Sequence, residues 1–224
     1  MSMALAGLVI LVIGDSHMAG LGAGKGYLLT SLHDQLAAEG AVVHSYGMCG
    51  ANAADWVTKD TTACLGEHHD KTPPTFDSNA SKVHPTWNVN ELIDRHHPNL
   101  VIVELGEAMA SYNAPELPKP WVYNQVRLLT GALRARNVAC TWVGPIWGPE
   151  APPWNKSAAR VRELSQLLAQ TVAPCSYIDS TQFARPGEWP TTDGLHLTPA
   201  GYQGWGRAIT ASVVRLKTQN ALRQ

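Results

Sequence analysis

Short apolar runs alternate along the chain with longer stretches in which apolar residues recur every three or four positions. Residues 7–14 (GLVILVIG), 41–47 (AVVHSYG), 100–106 (LVIVELG), 138–144 (VACTWVG) and 175–179 (CSYID) read as strands. Several are apolar throughout, the pattern of parallel strands covered on both faces. Helical spacing is predicted over 27–39, 87–96, 121–136 and 156–170. A last helix is predicted over 199–217, with Thr198 as its cap and Pro199 in its first turn. This βαβα rhythm predicts an α/β fold: a three-layer α/β/α sandwich around a five-stranded parallel sheet with right-handed crossovers. Ligands of such folds sit beyond the carboxyl ends of the strands.

Two stretches break the pattern. Residues 58–85 are polar and rich in His, Pro and Asp, and read as an irregular insertion. Residues 144–155 (GPIWGPEAPPWN) form a loop rich in Pro, Gly and Trp after the fourth strand. The whole chain, residues 1–224, is read as a single domain, since this length suits one well-buried core.

Hydrophobic residues make up 45% of the chain and charged residues 16%, which excludes a disordered chain. The formal net charge is −1 and no basic stripe occurs, so nucleic acid is not an expected partner. The apolar run 4–13 is too short to span a bilayer, so no membrane span is expected. It also lacks the basic start of a signal peptide, so the chain is expected to be cytosolic or already trimmed of an export signal. Cys140 and Cys175 lie at or just before two successive strands, and Cys49 and Cys64 bracket a loop. Two locally sensible pairs point to disulfides and to a periplasmic or secreted protein. Four buried thiols in a cytoplasmic protein are the alternative.

Candidate chemistry gathers at the carboxyl edge of the expected sheet. Gly14-Asp15-Ser16-His17 follows the first strand directly, and a serine at a tight strand-to-helix turn presents its hydroxyl outward with its own backbone N–H beside it. Such a serine needs an adjacent base. Asp193-Gly194-Leu195-His196 precedes the last helix. A carboxylate three residues before an imidazole on one turn can fix its tautomer, leaving the other ring nitrogen to take a proton.

A strand followed by GDS near the start, with DxxH before the final helix, closely resembles the SGNH (GDSL-like) hydrolases over nearly the whole chain. The resemblance implies a flavodoxin-like α/β/α fold, Ser16 as nucleophile, and His196 as base oriented by Asp193. It implies an oxyanion hole built from the Ser16 amide, a glycine amide and an asparagine. The glycine corresponds to Gly50, with Gly47 as the weaker candidate. The family's Gly-x-Asn-Asp motif falls on Gly106-Glu107-Ala108-Met109, so Ala108 stands where the asparagine belongs. Asn52 and Asn113 are candidates to fill that place. No cofactor or metal is implied.

Remaining candidates are less specific. His68, His69 and Asp70 form a polar run that could bind a metal but suits a solvated loop equally. His17, His84, His96 and His97 are expected at the surface or at helix ends, and Asp15 is expected to brace its turn. Glu104 and Glu107 flank the end of the third strand and are candidates to line the pocket. Eight Trp against two Phe is unusual, and Trp147, Trp154 and Trp189 fall in loops at the catalytic edge. Flat aromatic faces there suit a sugar ring or simply hold Pro-rich loops. The reading is a serine esterase acting on small acyl esters, O-acetyl groups above all, of a carbohydrate or cell-envelope glycan. Transfer of acetyl to a glycan, a lipid esterase or thioesterase, and a non-catalytic glycan-binding module are the alternatives.

Overall fold

Strand β1 (Val9–Gly14) sends Leu11 and Ile13 to one side of the sheet and Ile10 and Val12 to the other, and all four are fully buried. A strand covered on both faces must lie at the centre, and β1 does. The computed structural model describes residues 3–19, 27–58, 61–62, 66–69, 75–76 and 84–219. After β1 come α1 (Leu28–Ala38), β2 (Val42–Met48), α2 (Asp55–Thr58), β3 (Thr61–Thr62) and β4 (Gly66–His69). β5 (Thr75–Phe76), β6 (His84–Pro85), α3 (Val89–His96) and β7 (Leu100–Glu104) follow, and a 3-10 turn spans Glu107–Ala110. α4 (Lys119–Ala135), β8 (Ala139–Val143), α5 (Ala158–Thr171), β9 (Ser176–Ile178) and α6 (Pro199–Thr218) complete the chain.

The main sheet runs β5-β4-β2-β1-β7-β8-β9. Five of its strands, β2, β1, β7, β8 and β9, are mutually parallel, as expected. Two short strands extend it: β4 pairs antiparallel with β2, and β5 with β4. Both come from the 58–85 stretch expected to be irregular, while β3 and β6 pair as a separate ribbon. These pieces are only two to four residues long. They are held by backbone pairing and carry no apolar run, so periodicity does not reveal them.

Helices α1 and α6 cover one face, burying Leu28, Leu32, Tyr202, Trp205 and Ile209 against Ile10, Val12 and Ile102. Helices α3, α4 and α5 cover the other, with Leu92, Val126, Leu129, Leu164 and Leu168 against Leu11, Val101 and Val103. Side-chain caps set several helix starts: Asn88 accepts from the Asn90 N–H, Ser157 from that of Arg160 and Thr198 from that of Gly201. Among the described residues no helix is long and apolar enough to cross a membrane.

Cys140 of β8 and Cys175, just before β9, form a disulfide with their Cα atoms 4.6 Å apart. The other expected pair cannot be described, because Cys64 lies outside the described residues. Replacing Cys140 and Cys175 together by Ser should cost about 2–4 kcal/mol of stability, mainly through the freed unfolded chain. Urea unfolding of the oxidised protein and the double variant measures this, and equal midpoints would show that the bridge does not form.

Candidate active site

The carboxyl end of β1 is crowded. A side chain on Gly14 would come within 2.9 Å of both the carbonyl and Oε2 of Glu104, so only glycine fits before the turn. The turn is then closed by Asp15, whose Oδ1 accepts from the His17 N–H at 3.1 Å and whose carbonyl accepts from Met18 and Ala19. Ser16 stands at its apex, partly exposed. The second piece is the loop before α6. There Asp193 Oδ1 accepts from the backbone N–H of Leu195 (2.9 Å) and His196 (2.8 Å), with Gly194 between them at φ +90°.

These pieces meet. His196 Nδ1 lies 2.7 Å from Asp193 Oδ2, and His196 Nε2 lies 2.8 Å from Ser16 Oγ. A hydroxyl, an imidazole and a carboxylate are thus in line across 180 residues of sequence. Burial alone would raise the Asp193 carboxyl, but the hydrogen bonds from the His196 ring and the two backbone N–H groups hold it below its usual range. Such an arrangement can take a proton from the serine oxygen onto an imidazole whose other nitrogen faces a negative charge.

Two clefts open beside Ser16. The larger, about 570 Å³, is lined by Gly50, Ala108, Tyr112, Asn113, Trp154 and Leu195 together with Glu107, Cys49 and the three residues above. The smaller, about 210 Å³, lies towards Ala19, Tyr27 and Thr192. Of the expected substrate residues, Trp154 and Glu107 line the larger cleft. Trp147 and Trp189 do not: Trp147 is buried and donates to the Thr181 carbonyl at 3.0 Å, and Trp189 packs on Gly204 of α6. These two rings anchor loops. The two candidate asparagines are placed differently. Asn52 is absent from the cleft lining, with its backbone N–H held by Asp55. Asn113 is at the cleft, but its side chain is tied to Pro153 and Asn155.

Beneath the site lies a charged interior that the sequence does not reveal. His17, expected at the surface, is fully buried, with Nδ1 2.8 Å from the Tyr202 hydroxyl and its ring 5.4 Å from that of His196. Its neighbour in sequence is pulled to the surface by the turn, so His17 itself points inward. Glu104 is also buried and does not line the cleft. Glu107 accepts from Lys156 Nζ at 2.5 Å and from the Tyr112 hydroxyl at 2.7 Å, and lies 3.5 Å from His17 Nε2. Burial would raise its carboxyl, yet the Lys156 ammonium and the His17 contact bring it down to about 2. Lys156 is fully buried although it immediately precedes the polar cap Ser157, and no local pattern marks it.

The histidines of the β2 edge are partnered otherwise. His96 closes α3 and meets the Tyr46 hydroxyl at 2.7 Å, and His97 is the exposed left-handed cap. His68 and His69 lie in β4 and Asp70 lies outside the described residues, as does the His84 side chain. His33, Asp34 and His69 bring ligand atoms within 4.8 Å of one another. The two imidazoles, however, stack face to face at 3.8 Å and 7°, so their lone pairs run in parallel planes and do not converge on one ion.

The chain belongs to the GDSL-like Lipase/Acylhydrolase family, whose model matches residues 12–203. It is an esterase of the SGNH type. It is 39% identical over 214 residues to Protein BcsX of Komagataeibacter xylinus, covering 96% of this chain and 79% of that one. Among solved structures it resembles TesA, with a TM-score of 0.60 and 18% identity over 92% of this chain and 99% of that one. It also resembles a catalytic mutant of Axe2, an acetylxylan esterase from Geobacillus stearothermophilus, with a TM-score of 0.58 and 14% identity over 93% and 95% of the two chains. At these identities the structural likenesses establish the fold.

Removing one partner of the Glu107–Lys156 pair leaves an uncompensated buried charge. Lys156→Met should therefore cost about 3–5 kcal/mol, and adding Glu107→Gln should recover most of it. Because the Glu107 carboxyl is depressed in the folded state, its contribution is present above about pH 4 and lost as pH falls towards 2. Urea unfolding of both variants against pH tests this, and a silent Lys156→Met would refute it.

Proposed function

We propose that the protein hydrolyses small acyl esters, O-acetyl groups above all, on a carbohydrate or cell-envelope glycan, with Ser16 as nucleophile, His196 as base and Asp193 as the residue that orients it. The observation that carries this reading is the pair of contacts at 2.8 and 2.7 Å joining the three side chains. Ser16 Oγ attacks the ester carbonyl carbon while its proton passes to His196 Nε2. The tetrahedral intermediate collapses, the C–O bond to the alcohol breaks, and His196 returns the proton to the departing oxygen. Water then attacks the acyl-enzyme by the same route and releases the acid.

The oxyanion is held by the backbone N–H groups of Ser16 and Gly50, and no described group accepts from either. Ala108 adds no donor. A carbohydrate alcohol is supported by Trp154, whose ring is part-exposed in the larger cleft, and by the acetylxylan esterase among the similar structures. The apolar lining by Ala108, Ala114 and Leu195 favours a second reading, an ester with a longer acyl chain. Release of acetate against longer acids from a panel of esters separates the two. The Cys140–Cys175 bridge supports a periplasmic or secreted location, where it persists.

Ser16→Ala should lower kcat on an aryl acetate by at least about 10³-fold without unfolding the protein. Substantial turnover by a folded Ser16→Ala would refute the nucleophile. Ala108→Asn should act in the opposite direction. An oxyanion donor is worth roughly 10² to 10³ in rate and acts mainly in the transition state, so kcat should rise at least about tenfold with little change in KM. An unchanged kcat would mean that the third donor is already supplied by another group.

A further inference from the structure

Directly beneath the Ser16 turn, three buried polar atoms have no hydrogen-bond partner among the described residues: Asp15 Oδ2, His17 Nε2 and Glu104 Oε2. Their residues are at most 1% exposed, and each residue places a carboxylate oxygen or ring nitrogen within 4.8 Å of such an atom on the other two. Orphaned groups at such depth require a partner.

The charged and titratable groups facing this point come from several elements, the loop after the 3-10 turn with Tyr112 among them. The turn after β1 supplies Asp15 and His17, and the end of β7 with its 3-10 turn supplies Glu104 and Glu107. The loop before α5 supplies Lys156, and α6 supplies Tyr202. His17 is accounted for if the Tyr202 hydroxyl donates to Nδ1 and Nε2–H faces Glu107 Oε1 at 3.5 Å. Burial holds its imidazole neutral by pushing its pKa down. Lys156 is matched by Glu107 at 2.5 Å. Asp15 and Glu104 are left as two enclosed carboxyl groups with no cation of their own. Two carboxylates are both acceptors and repel each other, and one added proton converts the pair into a donor and an acceptor.

We propose that Glu104 is a positioning residue that holds a proton shared with Asp15, so that the interior beneath Ser16 carries one carboxylic acid hydrogen-bonded to one carboxylate. Burial, and then the charge of Asp15, raises the Glu104 carboxyl well above its usual range, and burial raises Asp15 as well. The shared proton would pin Asp15, whose other oxygen and whose carbonyl build the turn that carries Ser16. Its bearing on catalysis rests on Ser16 being the nucleophile; the proton itself does not.

Infrared spectroscopy of the protein at neutral pH should show the carbonyl stretch of a protonated carboxylic acid. Glu104→Gln removes the band by removing the acid. Asp15→Asn shifts the band, because the Glu104 acid then faces an amide in place of a carboxylate. Heavy-carbon labelling of glutamate in the unaltered protein shifts the band, which keeps the test independent of whether either variant folds. Linkage gives a second readout. The folded state binds a proton that the unfolded state has released above about pH 4.3. The folding constant of the unaltered protein relative to Glu104→Gln should therefore fall about tenfold per pH unit above about pH 5. Glu104→Leu should lower kcat by at least about tenfold at unchanged KM, through misplacement of Ser16, and Glu104→Gln should restore it. No acid band, a pH-independent ratio, or a stoichiometric divalent cation retained by the native protein would each overturn the proposal.

Discussion

A carboxylate cut off from water must find a cation, a hydrogen-bond donor or a proton, and the carboxyl edge of this sheet is organised around a contact of the first kind. Glu107, at the start of the 3-10 turn after β7, faces Lys156 from the loop before α5, Tyr112 from its own loop and His17 from the turn after β1. Three loops that share no sequence neighbourhood are thereby tied at one buried point. In a low-dielectric interior this contact is strong, but it only compensates the desolvation of two ions, so its value lies in fixing geometry. The residues it fixes are those that frame the larger cleft: Ala108 and Tyr112 follow Glu107, and Trp154 precedes Lys156 by two positions.

The parts of the site differ in how locally they are determined. The Asp193–His196 contact is made within a single turn, with backbone N–H groups holding the carboxylate and Gly194 supplying the left-handed step. Ser16 is equally local, since its turn is closed by Asp15 and needs glycine before it. Their meeting is not local. It depends on β1 lying at the centre of the sheet and on α6 packing across α1, so that the loop before α6 ends above the β1 turn.

That division explains what the sequence disclosed. The five parallel strands and the five long helices follow from apolar periodicity, and the GDS and DxxH motifs are local turns, so both are legible. β4 and β5 were not, because their pairing is a matter of backbone hydrogen bonds on the β2 edge and leaves no apolar signature. The buried charges were hidden for a different reason. Lys156 and His17 are polar residues in polar surroundings along the chain, and only the tertiary packing encloses them. Trp147 and Trp189 lay in the right loops, yet a loop position does not determine which side of the loop a ring takes. Trp147 found a buried carbonyl acceptor and Trp189 the bare backbone of Gly204, each a better use of an indole than open cleft.

Ala108 is the point where local pattern and chemistry diverge. The 3-10 turn that carries it is built as firmly as the charged interior can make it, with Glu107 on one side and buried Met109 and Ala110 on the other. The backbone is therefore held in place while the side chain offers only a methyl group to the cleft. A methyl group on a loose loop would leave the whole wall of the cleft undefined; here the wall stays and simply presents no side-chain donor at Ala108. The methyl group at Ala108 is thus a feature of one side chain, with the space beside it open to the larger cleft. Ser16 and Gly50 line the same cleft, so a substrate hydroxyl or a water molecule entering that space would stand beside the Ser16 turn. The turn itself is held by the buried Glu107–Lys156 contact and is not free to rearrange around whatever fills that space.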